Sequence, residues 1–88
     1  MIRKRTLTFY KEEHYIENSN WRYTVVKDSY IMSTAMKISK EMKINICNVH
    51  FSDWKKCSIS AKAEKDIWLL FCYKLIEALE GHIERYSF

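Results

Sequence analysis

One glycine and no proline in 88 residues leave this chain with few of the usual devices for turning. Gly-rich phosphate loops need several glycines for close backbone approach, so every loop of that type is excluded at once. Turns must come from other residues. Asn18-Ser19-Asn20 is the best turn signal, because Asn tolerates left-handed backbone angles and folds its side chain onto its own backbone. The length predicts a single domain over residues 1–88. At 48% hydrophobic and 30% charged the composition is globular and excludes a disordered or collagen-like chain.

Hydrophobic period divides the chain. Residues 5–10 alternate as a strand, with Leu7 and Phe9 on one face and Thr6, Thr8 and Tyr10 on the other. Trp21 to Lys27 alternates too, and the two runs read as a β-hairpin. Asp28 and Ser29 stand as N-cap residues before a helix over 29–42, whose Ile31, Ala35, Ile38 and Met42 form a narrow stripe opposite Lys37, Lys40 and Lys43. Residues 44–51 and 57–63 predict a second hairpin pairing Phe51 with Cys57, Val49 with Ile59 and Cys47 with Ala61. Only that register puts all the apolar residues on one face. Its other face carries Asn48, His50, Ser58, Ser60 and Lys62. Glu64 to about Tyr86 reads as a last helix, with Gly81 as a weak point inside it. The expected fold is α+β: a two-layer sandwich, an antiparallel sheet of two hairpins with two helices on one face, in the order ββαββα.

Net charge is +4, and the excess lies in residues 1–44, with nine Lys/Arg against five Asp/Glu. Such an excess favours anionic partners. Cys47, Cys57 and Cys72 are odd in number, lack a Cys-x-x-Cys pair and fall in apolar patterns. They read as reduced core residues, which places the protein in the cytoplasm. The basic start has no apolar stretch behind it, and the longest apolar run, Ile67 to Tyr73, is far below the ~20 residues of a membrane span.

Chemistry is sparse. Cys47 and His50 have a ligand-like spacing, but residues three apart on a strand point to opposite faces unless a bulge intervenes. No metal or cofactor is expected. His50 with Ser58, Ser60 and Lys62 resembles an acid–base RNase face only as any wet sheet face does, so a small RNase-like enzyme ranks third. The leading expectation is a non-enzymatic module that occupies an anionic partner, either RNA or DNA or the nucleic-acid-facing site of another protein. Its candidate contacts are Arg3, Lys4, Arg5, Arg22, Lys37, Lys40, Lys43, Trp54, Lys55, Lys56 and Lys62, with Tyr10 as a further aromatic outside the core pattern. Trp54 sits at a hairpin tip beside two lysines. The second expectation is an inhibitor or adaptor of a host enzyme, of the phage or mobile-element type, working by protein docking alone. It rests on Leu69, Leu70 and Tyr73, which lie on the solvent side of a helical turn that is apolar all round. A homodimer through the same patch is its corollary.

Overall fold

A computed structural model describes all 88 residues. The chain runs β1 (Arg3–Lys11), β2 (Glu13–Tyr15), β3 (Arg22–Thr24), α1 (Asp28–Met42), β4 (Ile46–Ser52), β5 (Lys56–Ala63), α2 (Lys65–Ala78) and β6 (Ile83–Ser87). It is an α+β fold with two helices, a four-stranded antiparallel sheet in the order β4-β5-β1-β6, and a separate two-stranded β2–β3 sheet.

The centre of the large sheet is the β1–β5 pair, where Leu7 stands opposite Ile59 and Phe9 opposite Cys57. These four side chains are fully buried and join Ile31, Ala35 and Ile38 of α1 and Trp68, Phe71, Cys72 and Leu75 of α2 in one core. The β1–β5 pairing corrects the expected first hairpin. Residues 21–27 do not pair with residues 5–10; only Arg22–Thr24 are strand, and they pair with β2. A local alternation states that β1 has two faces, but not which strand lies beside it. The β4–β5 register holds at Phe51–Cys57 and Val49–Ile59 and then slips: a bulge makes Ile46, not Cys47, the partner of Ala61. One extra residue in a strand turns the positions beyond it to the opposite face. Cys47 is therefore exposed, contrary to its expected place in the core, while Ile46 packs inward.

Helix α1 begins one residue earlier than the stripe predicts. Asp28 is not its N-cap: Lys27 holds that position without a side-chain cap, and the Asp28 carboxylate sits in the first turn, where the helix dipole favours it. The helix ends in a Schellman motif, with Lys43 in the left-handed region (φ 57°) and Ile44 N–H donating to Ser39 O at 2.9 Å. Helix α2 stops at Ala78 rather than running to Tyr86. His82 N–H closes onto Leu79 O at 3.0 Å, Gly81 takes φ 86°, and the chain leaves as β6, which pairs with β1. The lone glycine is thus a helix terminator rather than a defect inside a helix, in a conformation that L side chains avoid.

Asn18 and Asp53 also adopt positive φ, 60° and 54°. The first makes the predicted turn between β2 and β3, and the second makes the tip of the β4–β5 hairpin. The molecule is long and narrow, 51 × 19 × 18 Å. No helix is long and apolar enough to cross a membrane.

Candidate nucleic-acid interface

The even-numbered residues of β1 lie on the face opposite Leu7 and Phe9. Register sets their neighbours: Lys4 opposite Lys62, Thr6 opposite Ser60, Thr8 opposite Ser58 and Tyr10 opposite Lys56 on β5. On the other side β6 brings Arg85 beside Tyr10 and Ser87 beside Thr8. Beyond β5, β4 adds Asn48, His50 and Ser52. None of these outward positions carries a carboxylate.

Contacts across the face confirm that these side chains meet. Thr6 Oγ1 and Ser60 Oγ share a hydrogen bond at 2.9 Å, and Thr8 Oγ1 and Ser58 Oγ one at 3.4 Å. The Tyr10 ring holds two cations, the Arg85 guanidinium at 4.1 Å and the Lys56 ammonium at 5.9 Å from its centroid. The face therefore has two cationic ends joined by hydroxyls. Six residues along β1 separate them, about 20 Å at ~3.3 Å per residue. Lys4 and Lys62 are directly opposed like charges, an arrangement that costs a sheet stability unless something neutralises it.

Of the predicted contacts, Lys4, Lys56 and Lys62 are gathered here, with Tyr10. The others lie elsewhere. Arg5 Nε donates to Ala63 O at 3.0 Å, and Arg3 Nε lies 3.3 Å from Met1 Sδ. Arg22 stands over the Tyr15 ring on the β2–β3 ribbon, 5.2 Å from its centroid. Lys37, Lys40 and Lys43 are exposed along α1 and its end. Lys55 is committed inside the molecule, with its ammonium 3.4 Å from Glu13 Oε1 and 3.6 Å from Glu84 Oε2. Trp54 keeps an exposed ring at the hairpin tip. Arg85 was missed because residues 79–86 read as helix. The one signal that could have found it is Gly81, the only glycine, which marks the helix end and frees the residues after it to form a strand.

Two other features touch the chemistry. The bulge leaves both Cys47 and His50 exposed, but no group of three or more His, Cys, Asp or Glu stands close enough to hold a metal. Cys57 and Cys72 are pushed up to about 12, both first by burial; at Cys57 Asp28 adds to the rise and Lys11 opposes it. Neither thiol is a nucleophile at neutral pH.

The predicted docking residues divide by exposure. Leu70 and Tyr73 are about half exposed, and Leu69 is partly covered. Phe88 meets Tyr73 edge to face at 5.4 Å and stacks on Tyr86 at 5.7 Å, so the C-terminal residues cap part of this surface.

No protein-family model matches the chain, and no curated protein is significantly similar to it in sequence.

Proposed function

We propose that this protein is a non-enzymatic binding module that takes up the sugar–phosphate backbone of a single-stranded nucleic acid on the outward face of its large sheet. In this reading both helices lie on the Leu7/Phe9 side as the second layer of a two-layer fold, which leaves the outward side to the ligand. The observation that carries the proposal is the carboxylate-free face with Lys4 against Lys62 at one end and Lys56 and Arg85 around Tyr10 at the other. Phosphates neutralise the two ends, which relieves the Lys4–Lys62 repulsion. The Thr6, Thr8 and Ser58 hydroxyls between them serve phosphate and sugar oxygens, while Ser60 is buried and holds Thr6 in place. The ring of Tyr10 fixes two long side chains before the ligand arrives, so less freedom is lost on binding. Base-specific readout is not part of the proposal, and neither is catalysis. The free thiols fit a reducing, cytoplasmic setting.

Anisotropy titrations of labelled single-stranded RNA, single-stranded DNA and a duplex at several salt concentrations test this. Four phosphate contacts predict a slope of log affinity against log salt near −3, at roughly −0.7 per contact on a single strand. Lys4→Glu with Lys62→Glu should remove most of the binding to all sequences alike. A flat salt response, or no binding at low salt, refutes the proposal. The second reading, docking on a protein alone, rests on the half-exposed Leu70 and Tyr73. Affinity purification with and without nuclease separates the two: partners lost on nuclease treatment favour nucleic acid, and partners retained favour docking.

A further inference from the structure

The β2–β3 ribbon has one face that is apolar and uncovered. Its register pairs Glu13 with Thr24, His14 with Tyr23 and Tyr15 with Arg22, and Ile16 N–H donates to Trp21 O at 3.1 Å. Two faces follow. Tyr15 and Arg22 share one, where they stack. His14 and Tyr23 share the other, with ring centroids 5.5 Å apart, and Ile16 and Trp21 extend it toward the turn. Val25, in the bend that follows β3 on the way to α1, is exposed as well. Trp21 is 74% exposed, Val25 55%, Ile16 52% and Tyr23 47%. An isolated two-stranded ribbon is at best marginally stable in water. This one pairs with no other strand, so its order calls for a further partner.

At the root of the ribbon lies the complement to its tip. A wide-open hollow of about 580 Å³ is lined by Val25, Val26 and Tyr30 together with Lys27, Ser29, Ser33 and His82. No carboxylate lines it. Trp21 at the tip and Val25 at the root are four residues apart, about 14 Å along a strand. The ribbon and its root therefore present an aromatic knob and an open hollow with Val25, Val26 and Tyr30 in its lining. A two-fold axis across the middle of two antiparallel ribbons brings each knob to the other copy's hole. Such an isologous contact closes after two copies.

We propose that a second copy of this chain is the occupant: two ribbons pack face to face, and Trp21 of each fills the Val25/Val26/Tyr30 hollow of the other. The area agrees with a modest dimer. Aromatic side chains bury ~150–250 Å² each when fully covered, so the exposed parts of Trp21, Tyr23, Ile16, Val25 and Tyr30 come to about 500 Å² per copy, or ~1,000 Å² in total, at the lower bound for a specific interface. Trp at the centre of the contact is the residue type that most often dominates such interfaces. The dimer is independent of the nucleic-acid reading, since none of these residues lies on the outward face of the large sheet.

Sedimentation of the full chain, from about 1 µM to about 500 µM, tests the proposal: the weight-average mass should rise with concentration toward twice that of one chain. Trp21→Asp should weaken self-association at least tenfold and leave the circular dichroism unchanged. Tyr30→Asp should do the same from the side of the hollow. An equimolar mixture of the two variants should recover part of the association, because the mixed dimer keeps one intact knob and hole: the Trp21 of the Tyr30→Asp copy in the hollow of its partner. Recovery on mixing supports the two-fold exchange even if one variant loses stability by itself. A wild-type chain that stays monomeric throughout overturns the proposal. So does a dimer that survives Trp21→Asp, and so does one abolished by Leu70→Glu with Tyr73→Glu but not by Trp21→Asp, which would place the contact on α2.

Discussion

The large sheet and the β2–β3 ribbon are written in the same alternating pattern, yet they come to opposite ends. In the sheet, Leu7, Phe9, Cys57 and Ile59 of β1 and β5 are fully buried, in one core with residues of both helices. In the ribbon, Trp21 and Ile16 stand in water. Alternation tells which residues share a face, and nothing more. What covers the face is decided by the chain around it. Helices α1 and α2 contribute residues to the sheet's core, and none of the ribbon's three-residue strands enters it. An apolar face sealed within one chain serves stability. One left open is available for association.

The widest contrast is between two aromatic truncations. Phe9→Ala should cost about 3–5 kcal/mol, because it empties a fully buried site. Trp21→Ala, though it removes a larger side chain, should change the stability of dilute protein by less than ~0.5 kcal/mol. Urea unfolding at low micromolar concentration measures both. Comparable losses would mean that the ribbon belongs to the cooperative core.

The next contrast is pH. Cys57 and Cys72 in the folded protein ionise only near 12, whereas an unfolded thiol ionises near ~8.5. Above pH ~9 the unfolded state loses protons that the folded state keeps, so stability falls as pH rises toward 12. The slope approaches about 1.4 kcal/mol per pH unit for each thiol, about 2.7 for the pair. Below pH ~8 both thiols are protonated in the folded and unfolded states, so stability is at its full value and does not vary with pH on their account. The loss should shrink in the Cys57→Ala, Cys72→Ala protein at matched pH. Exposed Cys47 is the internal control: thiol reagents should modify it quickly in the native state and the other two only after unfolding. Fast native labelling of Cys72 would contradict its place in the core.

A smaller effect is expected where ribbon and sheet join. Lys11 is buried at the end of β1 and gives its ammonium to Asp28 Oδ1 at the start of α1. The Lys11 ammonium also lies 5.8 Å from the centroid of the Phe51 ring. Asp28→Ala leaves a buried cation without its partner and should cost about 1–2 kcal/mol, moderated because Asp28 is half exposed to solvent. Lys11→Met, which removes the charge but keeps the stem, should cost less. The reverse order would show that the ammonium, rather than its pairing, is what the site needs.

Much of this was legible in the residues. Ile31, Ala35, Ile38 and Met42 define α1 within a residue of its observed start, because a helix stripe is local. The β4–β5 register is legible through Val49 and Phe51, because a slip there would expose the core. What was not legible is non-local or singular. The choice of β5 and β6 as the neighbours of β1 leaves no trace in the alternation of residues 5–10. The bulge at Cys47 is a single inserted residue. Ile83 continues the apolar spacing of α2 through Leu79, so the period runs past the true end of the helix, and only Gly81 marks it. For the candidate interface, Lys4, Tyr10, Lys56 and Lys62 were visible as residues. Their gathering on one face needed the β1–β5 register, and Arg85 needed β6.

The smallest effect bears most directly on the proposed function. Lys4 and Lys62 face each other across β1 and β5, where like charges oppose sheet formation by roughly 0.2–1 kcal/mol. Lys62→Thr removes the repulsion and places a β-branched residue on the strand, so it should stabilise the free protein by about 0.5 kcal/mol. The same change deletes one of the four proposed phosphate contacts. It should weaken binding to single strands of every sequence and reduce the magnitude of the salt slope by about 0.7. Arg5→Thr, at a neighbouring position of β1 whose guanidinium is turned away to Ala63 O, should show neither the gain in stability nor the change in slope. A protein that gains stability and loses binding together ties the Lys4–Lys62 opposition to its ligand. If Lys62→Thr gains stability while the slope is unchanged, the two lysines are only a poor sheet pair, and the outward face is not where the phosphates lie.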